Sequence, residues 1–314
     1  MKVEHLPIPI PGEGEIRLRV EAAAVNRSDI LYRQGKSPTQ PTFPSKIGYE
    51  AAGIVEAVGP GVDRHLIGQR GSTIPNFPPD RYGVSGELAT VPAVSFAAYP
   101  EGLTAVEAAS IWMQYLTAYG AIVSCAKVAR DDFVLITAAS SSVGLAAIDI
   151  VNAEGATSIA VTRSAAKRET LLALGAHHVI VSEEEDVVDR VMAITGGKGA
   201  GIVMDMVLGT GIETLMQATA RKGLYLACGV LAEEATPYPI FEALKKALSL
   251  RAYSVSELYL DPPALDEAKR YIFDHLEDST FKPKIGKIFK LDQIAEAHRY
   301  MESNDHVGKI VMTI

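Results

Sequence analysis

The sequence predicts an α/β protein in which a doubly wound parallel sheet interrupts a smaller β-rich domain, and three observations lead there. Phe133-Val-Leu-Ile-Thr-Ala-Ala-Ser-Ser-Ser-Val-Gly144 runs into the apolar-periodic Leu145 to Ala153 and then Ser158-Ile-Ala-Val-Thr-Arg163. That is a buried strand, a turn of tiny residues, a helix and a second buried strand, the βαβ order of a dinucleotide-binding sheet. Residues 11 to 103 are instead rich in valine, glycine and proline, with short alternating strands and turns that mark a twisted β domain. Finally, the tail from Phe289 to Ile314 contains no further βαβ unit, so it returns to the first domain.

Each element follows from its local pattern. Glu15-Ile-Arg-Leu-Arg-Val20 alternates with the period of a half-buried strand, and Gly59-Pro-Gly61 is a turn. Thr104 with Glu107 three residues on forms a capping box, followed by Ala108, Ile111, Tyr115 and Ala118 at helical spacing. His178-Val-Ile-Val181, Gly201-Ile-Val-Met-Asp205 and Gly223-Leu-Tyr-Leu-Ala-Cys228 each follow a helix-forming segment, as parallel strands require. Ser249-Leu-Arg-Ala-Tyr-Ser-Val255 reads as the last strand of that sheet, and the tail as helix Leu291 to Met301 with a closing strand Lys309 to Ile314. The expected domains are 1–107 with 256–314, and 108–255.

Composition limits the function. With 314 residues and 48% hydrophobic content the chain can bury two substantial cores. Its 38 acidic against 30 basic side chains give a net charge of −8 with no Lys/Arg block, which argues against nucleic acid as a partner. Met1-Lys-Val-Glu-His-Leu-Pro7 has no apolar signal core, and Phe133 to Ala153 is broken by serines, Gly144 and Asp149, so no membrane partner is expected. Only Cys125 and Cys228 are present, far apart, which fits a reducing compartment and makes the cytoplasm the expected location.

The turn after Phe133 carries the first chemistry. A G-x-G-x-x-G template laid on it keeps only its last glycine, Gly144, with Ala139 and Ser141 at the first two places. Small residues still admit a pyrophosphate to the backbone amides of a helix opened by Val143 and Gly144. The hydroxyls of Ser140, Ser141 and Ser142 either donate to phosphate or cap the helix.

Gly14-Glu-Ile-Arg-Leu-Arg-Val-Glu-Ala-Ala-Ala-Val-Asn-Arg-Ser-Asp29, Gly48-Tyr-Glu-Ala-Ala-Gly-Ile-Val-Glu-Ala-Val-Gly-Pro-Gly61 and Leu174-Gly-Ala-His-His-Val-Ile180 together resemble the medium-chain dehydrogenase/reductase superfamily. Within it the chain is most similar to the zinc-free NADPH:quinone oxidoreductase branch, from about residue 11 to the C-terminus. It begins without the opening strand that usually precedes Pro11 in that family. The resemblance implies a GroES-like β-rich catalytic domain interrupted by a Rossmann domain. Family members commonly pair through an edge of the nucleotide-domain sheet, and a homodimer is expected.

In zinc-dependent relatives the catalytic ligands fall at the places of Asn26, Tyr49 and approximately Met113, none of them a good zinc ligand, and two cysteines cannot supply a four-cysteine structural site. No metal is expected. Without a Lewis acid alcohol oxidation at neutral pH is difficult, whereas reduction of an already electrophilic acceptor remains feasible. The resemblance places Asn26, Asp29, Tyr49 and Gln114 near the nicotinamide and acceptor: the amides of Asn26 and Gln114 as donors, the Tyr49 hydroxyl as a proton source. Each has a plainer alternative. Asn26 and Asp29 cap a turn or helix, Tyr49 is a packed aromatic, and Gln114 with Thr117 share one helix face toward cofactor or solvent. Ser28 matches a proton-relay position that has meaning only with zinc, and Arg27 either meets the pyrophosphate or is a surface charge.

Cofactor choice is read at the end of the second nucleotide-domain strand, where an acid would hold the ribose of NAD. Thr162-Arg-Ser-Ala-Ala-Lys-Arg168 has no acid. Arg163 can fork onto the extra phosphate of NADP, Ser164 can donate and Lys167 lies one turn on, the alternative being a solvated basic helix start. Cys228 and Gly229, at the carboxyl edge, and Tyr253 are expected near the nicotinamide. His177, His178 and His298 are read as structural, and loops Asn76 to Val84 and Leu231 to Pro239 as acceptor-pocket walls. The expected activity is NADPH-dependent hydride transfer to quinones or α,β-unsaturated carbonyls. An enoyl-thioester reductase and a non-catalytic NADPH-binding protein are the rivals.

Overall fold

A computed structural model describes residues 1–314. Its strands are β1 (Glu15–Val25), β2 (Glu50–Val58), β3 (Arg70–Thr73), β4 (Leu88–Pro92), β5 (Phe96–Ala97), β6 (Phe133–Ile136), β7 (Thr157–Thr162), β8 (His178–Val181), β9 (Ala200–Asp205), β10 (Thr219–Ala227), β11 (Ser249–Ala252), β12 (Ile285–Lys290) and β13 (Lys309–Thr313). The chain forms two compact units, Met1–Met113 with Phe273–Ile314, and Gln114–Ile272. The second unit therefore starts later than the expected 108, at Gln114, and ends later than the expected 255, at Ile272. Its far boundary is displaced because Tyr271 lies on Tyr119 with ring centroids 5.0 Å apart and donates to Glu154 Oε1 at 2.7 Å, which anchors the start of helix Pro262–Glu277 there.

In the first unit the sheet order is β12-β13-β1-β2-β3-β5, with β4 also pairing β1. The returning tail enters as β13, antiparallel to β1, with Ala22 opposite Thr313 and Val25 opposite Ile310. On its other side β1 sets Ala24 opposite Glu50 of β2. The next step of the first register faces Asn26 with Lys309, so the neighbouring ends of β13, β1 and β2 bring three polar residues together. Alternate β1 residues Ile16, Leu18 and Val20 are buried in a core with Val55, Val91, Ile294 and Met312. Burying each large aliphatic side chain contributes about 1.5–3 kcal/mol, so a one-residue slip that exposed this face would be strongly disfavoured.

The second unit has the sheet order β11-β10-β9-β6-β7-β8, and every pairing is parallel. Strand order reverses at β6, and open parallel sheets bind ligands at the carboxyl ends flanking such a switch point. Leu135, Ile159, Ile180, Val203 and Tyr225 form the core between sheet and helices.

The helices include α1 (Arg27–Arg33), α2 (Ala105–Ala108), α3 (Trp112–Tyr119) and α4 (Ser142–Ala153). The capping box at Thr104 is present: Glu107 N donates to Thr104 Oγ1 at 3.3 Å and Thr104 N to Glu107 Oε2 at 2.9 Å. The single helix expected from Thr104 to Ala118 is broken, stopping at Ala108 and restarting at Trp112. Tertiary bonds account for the break, since Met113 N donates to Glu50 Oε1 at 2.7 Å and Trp112 Nε1 to Ser72 Oγ at 2.9 Å. Beyond α3, Gly120–Cys125 winds as a π-helix, against which the Tyr253 hydroxyl is packed at Gly120.

Candidate active site

In the first unit, Asn26 ends β1 in an extended conformation and is the N-cap residue of α1. Asp29, in the first turn of α1, accepts from Asn26 N through Oδ2 at 2.7 Å. Asp29 thus caps α1 through one carboxylate oxygen, while the Asn26 side chain makes no capping hydrogen bond. Asn26 Oδ1 accepts from Lys309 Nζ at 2.6 Å, and Lys309 also donates to Glu50 Oε2 at 2.5 Å. Lys309 and Glu50 are each 1% exposed. A buried ion pair survives only when its remaining hydrogen-bonding capacity is met; here Met113 N takes the second Glu50 oxygen and Asn26 takes the second Lys309 donor. Asn26 Nδ2 and Asp29 Oδ1 have no partner. Burial, with the Glu50 charge adding to it, pushes the Asp29 carboxyl up to about 7, against the pull of the Asn26 backbone N–H, the Lys309 charge and the Asn26 side chain. At neutral pH this acid is divided between its two protonation states, and its neutral form can donate a hydrogen bond.

Tyr49 is half-buried and stacked on Phe77, ring centroids 6.2 Å apart and planes 27° apart, and it packs against the core. Burial, then the nearby Asp29, raises its hydroxyl well above the usual phenol range. That favours the packed-aromatic reading and makes Tyr49 a weaker acid than a free phenol. Arg27 bonds Met301 O at 3.0 Å and Asn304 Oδ1, so it ties α1 to the C-terminal helix Ile294–Glu302. Ser28 Oγ is buried without a partner. A shallow surface cavity lined by Glu56, Pro60, Val62 and Ile67 includes none of these residues.

In the second unit, Gln114 is buried with Oε1 unpartnered, and Thr117 follows on the same helix. The β6–α4 turn is compact. Ser141 is the N-cap of α4 and accepts from Gly144 N at 3.1 Å, so of the three serines it is the one spent on capping. A Cβ at Gly144 would lie 2.6 Å from Ala139 Cα and 2.7 Å from Ala139 O, a close approach that only glycine permits. Ser142 and Val143 open α4 beside it, at the end where free amides and the helix dipole favour a phosphate. Lys167 reaches back from beyond β7, its Nζ 3.2 Å from Ser140 Oγ, whereas Arg163 and Ser164 are exposed just after the buried Thr162. The turn thus offers amides, hydroxyls and cations with no carboxylate, a donor set that fits a phosphorylated dinucleotide.

Cys228 follows β10, its N donating to Asp205 O at 2.7 Å. Burial pushes its thiol up to about 12, so it stays protonated at neutral pH and is a poor nucleophile. Gly229 runs close to the Met206 backbone. Tyr253 is buried, its hydroxyl without a hydrogen-bond partner.

The sequence reading missed two residues. Asp205 accepts from Thr137 Oγ1 at 2.6 Å, Val207 N at 2.9 Å, Leu208 N at 3.1 Å and the Tyr225 hydroxyl, and so pins the carboxyl ends of β6, β9 and β10 together. Lys309 is the other. Both carry the same signal, a charge at the end of an apolar strand, which once buried demands a partner somewhere in the fold.

Residues 12–97 match the alcohol dehydrogenase GroES-like domain and residues 142–269 the zinc-binding dehydrogenase domain. A 2-haloacrylate reductase from a Burkholderia species is 30% identical, the alignment covering 98% of this chain and 93% of that protein. The chain belongs to the medium-chain dehydrogenase/reductase superfamily. Among solved members, an NAD-dependent alcohol dehydrogenase superimposes with a TM-score of 0.90 at 30% identity, over 100% of this chain and 95% of that one. The Escherichia coli quinone oxidoreductase complexed with NADPH gives 0.90 at 28% identity, over 99% and 95%. In medium-chain dehydrogenase/reductase terms the first unit is the GroES-like domain and the second the Rossmann domain. The protein is an oxidoreductase of this superfamily.

Proposed function

We propose that this chain is a metal-independent oxidoreductase that transfers hydride from NADPH to quinones or α,β-unsaturated carbonyl compounds. The observation that carries the reading is the state of the residues standing at the zinc-ligand places. Asn26 is committed to Lys309, Tyr49 to Phe77, and the Met113 amide to Glu50. No three His, Cys, Asp or Glu side chains are grouped to hold a metal. What the site offers is an amide N–H and a carboxyl that is partly protonated at neutral pH. Such groups stabilise charge developing on an acceptor oxygen but do not acidify an alcohol.

When bound, the nicotinamide supplies the hydride. Asn26 Nδ2 would hold the acceptor oxygen, and Asp29, or solvent, would return the proton. The deciding experiment follows NADPH and NADH absorbance with benzoquinones, naphthoquinones, 2-cyclohexenone, an enoyl thioester and aldehydes as acceptors. Turnover of quinones or enones with NADPH is expected. Preference for the thioester would favour the enoyl-thioester rival, and tight NADPH binding with no turnover a binding protein.

Three further results are expected. Overnight dialysis against a chelator should leave activity intact and elemental analysis should find no stoichiometric zinc; one zinc per chain lost together with activity would overturn the metal-free reading. Arg163→Ala should weaken NADPH binding about tenfold to hundredfold, the cost of losing charge-assisted hydrogen bonds to a phosphate, and leave NADH nearly unchanged. Equal losses in a fluorescence titration of both would place Arg163 away from the 2′-phosphate. The third concerns assembly. β11 is the edge of the Rossmann sheet with all four residues exposed, Leu250 among them, and Phe241 and Leu244 of the preceding helix Ile240–Lys246 are exposed apolar side chains. An uncovered edge of this kind invites pairing, and we assign it to a second copy of the chain. Light scattering should give twice 33.6 kDa, falling to the monomer mass in Leu250→Lys; a monomer at tens of micromolar in the unaltered protein would count against it. The cytoplasm, suggested by the two free cysteines, completes the proposal. No helix is long and apolar enough to cross a membrane.

A further inference from the structure

Lys309 does more than neutralise Glu50. An ammonium has three donors and no acceptor, so whichever end of the Asn26 carboxamide faces it must be the oxygen. The contact at 2.6 Å is therefore a choice between the two amide orientations. Turning the amide about its Cβ–Cγ bond would set an N–H dipole against a buried cation. Lys309 is itself held by Glu50, at 2.5 Å, and Glu50 by Met113 N, at 2.7 Å, so the orientation is anchored in β2, β13 and the start of α3. The result is an amide whose Nδ2 is buried and makes no hydrogen bond, and the same holds for Asp29 Oδ1.

We propose that Lys309 is a positioning residue that fixes the Asn26 carboxamide so that Nδ2 is the hydrogen-bond donor to an uncharged carbonyl oxygen of the acceptor. The proposal rests on the reductase reading for the identity of the acceptor, but the lock itself does not. An uncharged carbonyl is the ligand that fits, because Glu50 already neutralises Lys309 and the position left open has a neutral donor rather than a free cation. Cation-to-oxygen contact also polarises the amide and strengthens its N–H as a donor. Removing Lys309 would act through Asn26: the amide would populate both orientations, and the oxygen would face the acceptor carbonyl for part of the time.

The test uses the full chain and the paired substitution Lys309→Met with Glu50→Gln, which leaves no lone buried charge and keeps an acceptor for Met113 N. The chain has four asparagines, so selective 15N-asparagine labelling yields four side-chain amide pairs, Asn26 being identified by its loss in Asn26→Ala. The Asn26 pair is expected to be sharp in the unaltered protein, to shift on titration with cyclohexanone as an unreactive carbonyl, and to broaden in the paired variant as the freed amide exchanges between its two orientations. Identical amide behaviour in both proteins would overturn the lock. In turnover, the paired substitution should lower kcat with 2-cyclohexenone or a benzoquinone about tenfold to hundredfold, as for loss of an oriented donor, with the NADPH Kd unchanged. In an Asn26→Ala background the same pair should change kcat less than about twofold, because its route of action is gone. Equal factors in the two backgrounds would make Lys309 a stability residue only. If no acceptor is reduced by the unaltered protein, the reductase reading fails while the amide measurement still decides the lock.

Discussion

Replacing Lys309 alone by methionine should lower the stability of the GroES-like domain by about 3–5 kcal/mol at neutral pH, the range for breaking a buried ion pair by removing one partner. Glu50 would remain 1% exposed with a charge that only Met113 N solvates. Adding Glu50→Gln should recover most of the loss, since a buried pair replaced by neutral groups of similar shape is often close to neutral in stability. The chain's single tryptophan, Trp112, is buried in this domain and bonded to Ser72, so its fluorescence in urea reports this unfolding step rather than that of the Rossmann domain. A single variant as stable as the parent would mean that Glu50 reaches water.

The second large effect is a pH-dependent gain in Asp29→Asn. The folded carboxyl titrates at about 7 and the ordinary one at 3.8. Below 3.8 both states of the protein hold the proton and Asp29 contributes no penalty. Between 3.8 and 7 the folded state keeps a proton that the unfolded state releases, so stability falls as pH rises, and above 7 the penalty is constant at roughly 4 kcal/mol. Asparagine keeps an acceptor for Asn26 N but carries no charge. The variant should therefore match the parent near pH 4 and exceed it by a few kcal/mol at pH 8. His298 acts with the opposite slope: burial, then Arg33, lowers its imidazole to about 4, so it destabilises the fold as pH falls from 6.5 toward 4. That contribution is common to both proteins and cancels in the difference. A gap that stays flat from pH 4 to 8 would show that Asp29 is ionised throughout.

Features with a local cause were legible in the sequence. The period-two burial of Ile16, Leu18 and Val20, the alternation of apolar strands with helices from Phe133 onward, the cap at Thr104 and the return of the tail as β13 all express which face of a short segment meets water, and that can be read within a dozen residues. The acid-free end of β7, at Arg163, Ser164 and Lys167, was legible for the same reason, as were Asn26 and Asp29 as residues with two possible duties. Only the tertiary structure decided between those duties. Asp29 caps α1 through Asn26 N, whereas the Asn26 side chain is taken by Lys309, 283 residues from Asn26 and 259 from Glu50, which binds its oxygen and leaves Nδ2 unspent. The first turn of α3 is tied at Met113 N to the carboxylate of Glu50, and Asp205 is held by Thr137, just after β6, and by Tyr225 of β10. A buried charge shows in sequence as an anomaly in an apolar run, but its partner is set by strand order and register, which bring distant residues together without leaving a local pattern.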